Sequence, residues 1–478
     1  MSRRTVGIAQ KPSVAEWLEY IKVGLAIWDN AGVGKTREDL RKALEKSYGP
    51  LSEASFRKYL YVRLPPDHAR FLNAFFEVLH AIDRSLSEQF SKRIGRESLS
   101  RNEPMSHATS AGFAGREVFE FKRKKRDVLA AAALHYHAAL IGEPGLPLIA
   151  KSAWLPNKLV PLRSIDQALG WIERPDDKSP VALDAFGGRT CAEWSKKLDP
   201  KTVLRNYSGY RLRDIQVQNG SLRLVCQSSD YFAFYNTCEA IAFELAQWCL
   251  HHPGRLPNPD RRELGVHRTP ESIFDLSNRN AVPGLNALFL LFGGPGKDLF
   301  FLHDRSEAKR GLAEAQNMHH VVPSGTFGPD SYKDSYHERD FSLHRTVFRE
   351  LAEELLGKKE VADYQIYGED FMKDEKVALF VEGERKGHLK IFFLGLGLDP
   401  VNTKPDILLC IAADARRLGI KSYKSVFRKN WEGAHFAQPW SKERLLDWAE
   451  KPTVYPAGAA CLKLAATRHF PALDSLFR

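Results

Sequence analysis

The sequence predicts an α+β protein of several domains, with a helical region at the front and a strand-rich half at the back. The chain has 478 residues, more than one typical domain contains. Apolar residues recur at helical spacing through most of the first 95 residues, whereas strand-like runs and tight turns recur from about residue 210 onwards. Hydrophobic residues make up 43% and charged residues 27%, a balance that supplies ample core for folded domains.

These changes in hydrophobic spacing and composition divide the chain into four segments. Residues 1–95 are predicted to be helical, and residues 96–127 to form a polar linker that ends in a basic run. Residues 128–282 form a mixed α/β middle region, and residues 283–478 form the strand-rich domain.

The helical region has the order of a helix-turn-helix. Thr36 and Asp39 suit the N-terminus of a helix, and a glycine turn at 47–50 separates it from a second helix beginning near Ser52. In a helix-turn-helix the start of the second helix faces DNA. That arrangement assigns nucleic-acid contacts to Ser52, Ser55, Arg57 and Lys58. An ordinary helical hairpin explains the same pattern.

The positive charge is concentrated towards the N-terminus. The net charge is +11, and residues 1–130 hold 24 Lys and Arg against 16 Asp and Glu. This asymmetry favours a polyanionic partner for the front of the chain, DNA or RNA rather than a membrane. The basic run at 122–126 is typical of a solvated surface ahead of a helix at 128–140, and contact with phosphate is the alternative interpretation.

The compartment follows from cysteine usage and from the absence of targeting patterns. No apolar run reaches the roughly 18 residues that a membrane span needs, and the start of the chain has no secretory pattern. No Cys-x-x-Cys pair occurs, and most cysteines lie in apolar contexts, which predicts buried free thiols in a reducing cytoplasm. The six cysteines are Cys191, Cys226, Cys238, Cys249, Cys410 and Cys461.

Turn residues and apolar runs place the main elements of the back half. An Asn-Gly pair at 219–220 between two strand-like runs is a strong hairpin signal, and a glycine-rich turn near 294 indicates a second hairpin. The predicted strands are 211–217, 222–226, 285–292, 298–303, 319–323, 389–394 and 407–413, and the predicted helices are 236–250, 343–355 and 457–466.

The helix around residue 350 carries the chemistry. Leu343, Val347, Leu351 and Leu355 form one apolar stripe at 100° per residue, and three glutamates share a sector beside it. Carboxylates crowded in this way repel one another unless a cation lies between them, and Mg²⁺ is the divalent ion that carboxylates, phosphate and water bind best. A solvated, salt-bridged helix surface is the competing interpretation.

The order of strand hairpin, strand, glycine loop, Arg-Glu-x-x-Glu-Glu helix and further strands resembles the Nudix hydrolase family. The family box is G-x5-E-x7-R-E-U-x-E-E-x-G-U, where U is a bulky aliphatic residue. Here Gly325 stands for the first glycine, and Arg349, Glu350, Leu351, Glu353 and Glu354 match the core. The chain departs from the box in two places. The stretch between Gly325 and Arg349 is about ten residues longer, and the closing glycine is displaced to Gly357. The upstream glutamate therefore has no clear counterpart, with Glu338 and Asp340 as the candidates.

The whole chain also resembles bacterial proteins in which a helix-turn-helix-like region precedes a Nudix-like half. The segments that carry this likeness include 320–327, 430–433 and 456–462. The resemblance implies an α/β/α sandwich over residues 283–478. It also implies a Mg²⁺ cofactor, with Mn²⁺ as the alternative, and a nucleotide-derived substrate.

The resemblance also assigns roles to single residues. Glu350 and Glu354 would bind the metal, Glu353 would complete the site or pair with Arg349, and Arg349 would hold a glutamate in position. Loop residues extend the candidate set: Glu432 is a further metal ligand, and Gly325, Trp431 and Phe436 are substrate-binding residues, the two aromatic residues by stacking on a base.

Two classes of function follow from these features. The first is an enzyme, a Mg²⁺-dependent pyrophosphohydrolase acting on a nucleotide derivative. The second is a regulator in which the same fold binds a nucleotide without turnover and controls a DNA-binding front half. The intact glutamates favour the enzyme, and the missing upstream glutamate and the basic N-terminal region favour the regulator. A component of a defence complex is a third alternative.

Overall fold

The computed structural model divides the chain into two compact units, Met1–Ala108 and Thr109–Arg478. It describes Leu40, Lys42, Leu44 and residues 111–478, apart from residues 144, 173–189, 200–203, 205, 219–220, 258–263, 265–272, 295–297, 308–317, 331–339, 359–369 and 429–432. In the first unit, Leu40, Lys42 and Leu44 are helical, and both leucines are buried, as the predicted helix after Asp39 requires. Ser52, Ser55, Arg57 and Lys58, and with them the helix-turn-helix prediction, lie outside the described residues.

The described residues of the second unit form twelve α-helices. They are α1 (Ala111–Lys124), α2 (Arg126–Tyr136), α3 (Leu162–Gln167), α4 (Cys191–Leu198), α5 (Tyr231–Phe234), α6 (Ala240–His251), α7 (Leu343–Glu350), α8 (Glu375–Arg385), α9 (Tyr423–Val426), α10 (Lys442–Ala449), α11 (Pro456–Thr467) and α12 (Phe470–Asp474). Two π-helical turns, Tyr235–Glu239 and Leu351–Leu355, lie directly before α6 and directly after α7.

The strands form one large mixed sheet and one small sheet. They are β1 (Val160–Pro161), β2 (Gly170–Trp171), β3 (Ser208–Gln218), β4 (Ser221–Asp230), β5 (Gly284–Phe292), β6 (Leu299–Asp304), β7 (His319–Val321), β8 (Ser324–Thr326), β9 (Leu389–Leu398), β10 (Pro405–Asp414) and β11 (Ala434–Pro439). The large sheet has the order β1-β9-β10-β5-β6-β11, with β7 paired to β6 and β8 paired to β5. Its strand pairs are antiparallel except for the central pair of β10 and β5.

Helices cover both faces of the large sheet. Alternate residues of a strand point to opposite faces, and every residue of β5 and β10 is buried, so the central strands supply two cores. Leu285, Phe289 and Leu409 pack in the cluster that includes α7 and α8, whereas Leu288 and Cys410 pack in the cluster that includes α11. The molecule is therefore an α+β protein with a mixed sheet, as predicted at this coarse level.

The smaller sheet has the order β2-β4-β3 and adjoins the glycine loop that follows β8. β3 and β4 form an antiparallel hairpin over the predicted range, longer at both ends than the sequence indicated. Tyr210 at the start of β3 donates from its backbone nitrogen to the Phe327 carbonyl oxygen at 3.2 Å, and Leu212 donates to Ala281 at 2.9 Å. The middle region thus adds a second sheet against the loop that leads into α7.

The basic run at 122–126 is partly buried, which corrects the prediction of a solvated surface. Lys122, in the last turn of α1, is partly buried and forms an ion pair with Glu239, a carboxylate that also accepts a 2.6 Å hydrogen bond from Asn402. Arg126, at the start of α2, pairs with the buried Asp399 at 2.6 Å. Two of the basic residues therefore serve to hold α1 and α2 to the rest of the unit.

The remaining sequence predictions divide as follows. The strands and the helix near 460 occur close to their predicted bounds, whereas α8 and β11 were not predicted. All six cysteines are buried, as predicted, and their thiols are free. Across the described part of the chain, no helix combines the length and the apolar character that a membrane span requires.

Replacing Lys122 with Met should destabilise the protein by about 3–5 kcal/mol, because Glu239 would be left buried without its cation. The matched control is Lys124→Met in the same turn of α1, where the side chain is 67% exposed and the change should stay within about 0.5 kcal/mol. Urea denaturation of the two variants measures the difference. Equal stabilities would mean that the buried pair contributes nothing.

Candidate functional site

The first turn of α7 is fixed by a capping serine and a distant aspartate. Ser342 Oγ accepts a hydrogen bond from the Arg345 backbone nitrogen at 3.1 Å, which satisfies one of the free amides at the helix start. The same hydroxyl donates to Asp166 Oδ2 at 2.7 Å, and Asp166 Oδ1 accepts from the Leu343 nitrogen at 2.6 Å. These bonds fix the first residue of α7, and the first residue in turn fixes the positions of the side chains further along the helix.

The predicted apolar stripe anchors the helix. Leu343, Val347, Leu351 and Leu355 are all buried in the cluster on this face of the large sheet. The helix does not continue as an α-helix through the glutamates, however, because Leu351–Leu355 is a π-turn in which Leu356 donates to the Leu351 carbonyl at 3.1 Å. The 100° wheel therefore fails at Glu353 and Glu354, which lie in this wider turn, a feature frequent at functional sites. Gly357, with a φ of 64°, follows the turn.

Arg349 ties the helix to the glycine loop. Its guanidinium donates to the carbonyl oxygens of Thr326 at 2.8 Å and Gly328 at 2.9 Å, and to Glu350 Oε1 at 2.8 Å. An arginine has five donors in a fixed plane, so one side chain can hold several loop carbonyls and one carboxylate together. Arg349 thus sets the distance between the acidic helix and the loop.

Glu350 lies directly against Gly325. A Cβ atom added at Gly325 would lie 2.0 Å from Glu350 Cδ, so a side chain at this position would displace the carboxylate from its present place. Burial raises the pKa of Glu350 to about 7, because the favourable charge of Arg349 does not compensate for desolvation together with the negative charge of Glu354. The positive charge near Glu350 is therefore too small to stabilise its ionised form fully.

Glu354 points to the same loop and is held by three groups. Its Oε2 accepts from the Ser324 backbone nitrogen at 2.6 Å, its Oε1 accepts from Arg305 Nη2 at 2.9 Å, and His303 Nδ1 lies 3.7 Å from Oε1. Burial alone would raise the pKa of Glu354, but His303, Arg305 and the Ser324 amide outweigh it and lower the pKa. Glu354 is therefore a buried, charged carboxylate beside the glycine loop.

The other predicted residues are placed as follows. Glu353 is half-buried in the π-turn and adds negative charge near Arg349. Phe436 lies in β11 on the opposite face of the sheet, where its ring packs 5.4 Å from that of Trp448. Asp340 is buried and faces Arg345 and the Asp330 amide instead of the glutamates. Glu338, Trp431 and Glu432 lie outside the described residues.

Two residues of the site, His303 and Arg305, were not predicted. His303 lies near the carboxyl end of β6 and Arg305 directly follows the strand, next to the point where β7 joins the sheet. The signal that could have found them is the polar group His-Asp-Arg directly after a buried apolar strand, at the edge of the sheet that carries the glycine loop.

The donor set fits a hard divalent cation. Two carboxylates converge on one loop, and one of them, Glu350, has a cradle that any side chain at position 325 would fill. Oxygen donors of this kind are those that Mg²⁺ prefers. Within the described part of the chain, no group of three or more His, Cys, Asp and Glu residues is arranged to hold a metal ion.

No protein-family model matches the chain, and no curated protein is significantly similar to it.

Replacing Gly325 with Ala should destabilise the protein by about 1–3 kcal/mol, because the new methyl group would overlap the Glu350 carboxylate. The double variant Gly325→Ala/Glu350→Ala removes the clash, so the alanine at 325 should cost less in that background. Chemical denaturation of the four proteins of this cycle tests the contact. An identical cost in both backgrounds would contradict it.

Glu350→Gln should stabilise the ligand-free protein relative to wild type as the pH rises. The pKa of Glu350 is about 7 in the folded protein against a reference value of 4.5, so the folded state binds this proton more tightly. This contribution to stability is complete below about pH 4.5 and is lost as the pH rises through 7, a change on the order of 3 kcal/mol. Urea denaturation of both proteins at pH 5 and pH 8 with a chelator measures it. A difference that does not change with pH would contradict the assignment.

Proposed function

We propose that this protein is a Mg²⁺-dependent hydrolase that cleaves a pyrophosphate linkage in a nucleotide derivative. The proposal is carried by one observation, the convergence of the buried carboxylates Glu350 and Glu354 on Ser324 and Gly325 of the short strand β8. The raised pKa of Glu350 supports it, because a divalent cation would supply the positive charge that this carboxylate lacks. The resemblance of the motif to the Nudix box supplies the reaction class.

The side chains of the protein would hold the ion and orient the substrate, and the ion would act as the Lewis acid. Glu350 and Glu354 would hold Mg²⁺, with Glu353 as the third acidic residue near it. The ion, when bound, would polarise the phosphate oxygens and lower the pKa of a bound water. Water then adds at one phosphorus, the bridging P–O bond breaks, and a proton is released as two phosphate products form.

The arginines have separate tasks. Arg349 holds Glu350 beside the glycine loop, because its guanidinium donates hydrogen bonds to the Thr326 and Gly328 carbonyl oxygens and to Glu350. Arg305, which donates both to Glu354 and to Ser324 Oγ at 3.0 Å, places a cation at the rim of the same site. A guanidinium there suits the negative charge that a diphosphate brings and that increases as the leaving group departs.

The second candidate is a nucleotide-binding regulator without turnover. Both glutamates already form ion pairs, Glu350 with Arg349 and Glu354 with Arg305. This pairing favours the regulator, because neither carboxylate then requires a metal ion to balance its charge. In this alternative the ligand would control nucleic-acid binding by the N-terminal unit, through the helix predicted to carry Ser52, Ser55, Arg57 and Lys58.

A panel of NAD, ADP-ribose, nucleoside triphosphates and dinucleoside polyphosphates with Mg²⁺ should include a compound that the wild-type protein hydrolyses. Glu354→Gln should reduce turnover at least about 100-fold, because the variant loses a charge at the metal position. Phosphate-ester products measured by chromatography provide the assay. The matched control is Glu382→Gln on the exposed surface of α8, which should retain wild-type turnover.

Two results would separate the candidates. Binding of a nucleotide without turnover, combined with a ligand-dependent change in DNA binding, would replace the hydrolase by the regulator. Turnover that survives Glu354→Gln unchanged would remove the glutamates from the mechanism.

A further inference from the structure

A histidine lies buried beside the acidic helix, and so far it has been described only as a neighbour of Glu354. His303 belongs to β6 and has no exposed surface, and among the described residues neither of its ring nitrogens has a hydrogen-bond partner. A buried polar group without a partner is costly and uncommon, and an ion or catalytic role is one of its ordinary explanations. The nearest carboxylate oxygen is Glu354 Oε1, at 3.7 Å from Nδ1.

This separation is slightly too long for a hydrogen bond and suits two ligands of one ion. With metal–nitrogen and metal–oxygen bonds of about 2.1 Å, two donors on a single ion lie roughly 3 to 3.6 Å apart. A small side-chain rotation closes the remaining difference. The carboxylate has about four lone-pair positions, and Arg305 and Ser324 use two of them, so Glu354 retains acceptor capacity.

A second imidazole, that of His435, lies beside the first, because His435 and His303 are paired residues of neighbouring strands. Their ring centroids are 6.0 Å apart, farther than the roughly 5 Å expected for two imidazoles on one tetrahedral ion. We therefore leave His435 out of the ligand set, in keeping with the absence of a three-residue group in the described part of the chain.

We propose that His303 and Glu354 together bind a first-row transition ion, for which Mn²⁺ is the probe, with the remaining coordination positions filled by phosphate oxygens and water. The reason is chemical. Imidazole nitrogen binds first-row transition ions more strongly than it binds Mg²⁺, and Mn²⁺ is the member of that series that also accepts carboxylate and water. The inference rests on the proposed function and refines it in two ways: His303 replaces Glu350 as the second protein ligand of the ion, and the ion is one that accepts nitrogen.

The decisive measurement is pulsed electron paramagnetic resonance of the full-length protein loaded with Mn²⁺. Coupling to ¹⁴N from imidazole is expected in the wild-type spectrum, and it should change to ¹⁵N coupling when the protein is labelled with ¹⁵N-histidine. Labelling leaves the fold untouched, so this experiment remains valid even if a buried histidine cannot be replaced.

Substitution identifies which histidine is responsible. His303→Asn should abolish the nitrogen coupling and weaken Mn²⁺ binding, measured by calorimetry, at least about tenfold, while Mg²⁺ binding changes little. The matched control is His319→Asn. His319 lies on the neighbouring strand β7 and packs on the other face of the sheet, 5.2 Å from the Trp448 ring, and its replacement should leave the coupling intact.

The outcomes separate this inference from the proposed function. Mn²⁺ binding and turnover without any histidine coupling would overturn the inference and leave the hydrolase in place, with an ion bound by oxygen alone. Coupling that persists in His303→Asn would also overturn it. A protein that binds neither Mn²⁺ nor Mg²⁺ and turns over no nucleotide would overturn both.

Discussion

The geometry of the candidate site depends on the contacts of one guanidinium. Arg349 joins α7 to the loop after β8 by bonds to two carbonyl oxygens, and at the same time it holds Glu350 against Gly325. Without these contacts, Glu350 would lie buried with no paired cation, and Arg305 would remain only beside Glu354. Arg349 therefore positions the helix and the loop as well as balancing the charge of Glu350. Lysine, a point charge on a flexible stem, could not make the same set of bonds.

Position along the strands decides which groups meet there. β7 and β8 enter the sheet where β5 and β6 separate, so the end of β6 brings His303 and Arg305 to the same place as Ser324. The acidic helix covers this point from one face. Residues far apart in the chain thus form one site because of strand order, and neither the helix nor the loop would provide it alone.

Local patterns were sufficient for much of the fold. The apolar stripe of α7, the β3–β4 hairpin and the central strands follow from periodicity and turn residues, which are properties of neighbouring positions. The pattern could not reveal the π-turn at Leu351–Leu355, since it leaves the residue types unchanged while it alters their directions. Nor could it reveal that Asp166 caps α7 across 177 positions, or that Lys122 pairs with Glu239, because such contacts depend on tertiary structure.

The central pairing of β5 with β10 has a consequence for synthesis of the protein. The two strands run parallel, and about 120 residues of chain separate them, so the middle of the sheet cannot close until β10 has left the ribosome. Until then β5, apolar at nearly every position, has an open edge during translation. Expression should therefore depend on chaperones that shield this strand in the nascent chain, and a fragment that ends before Pro405 should aggregate.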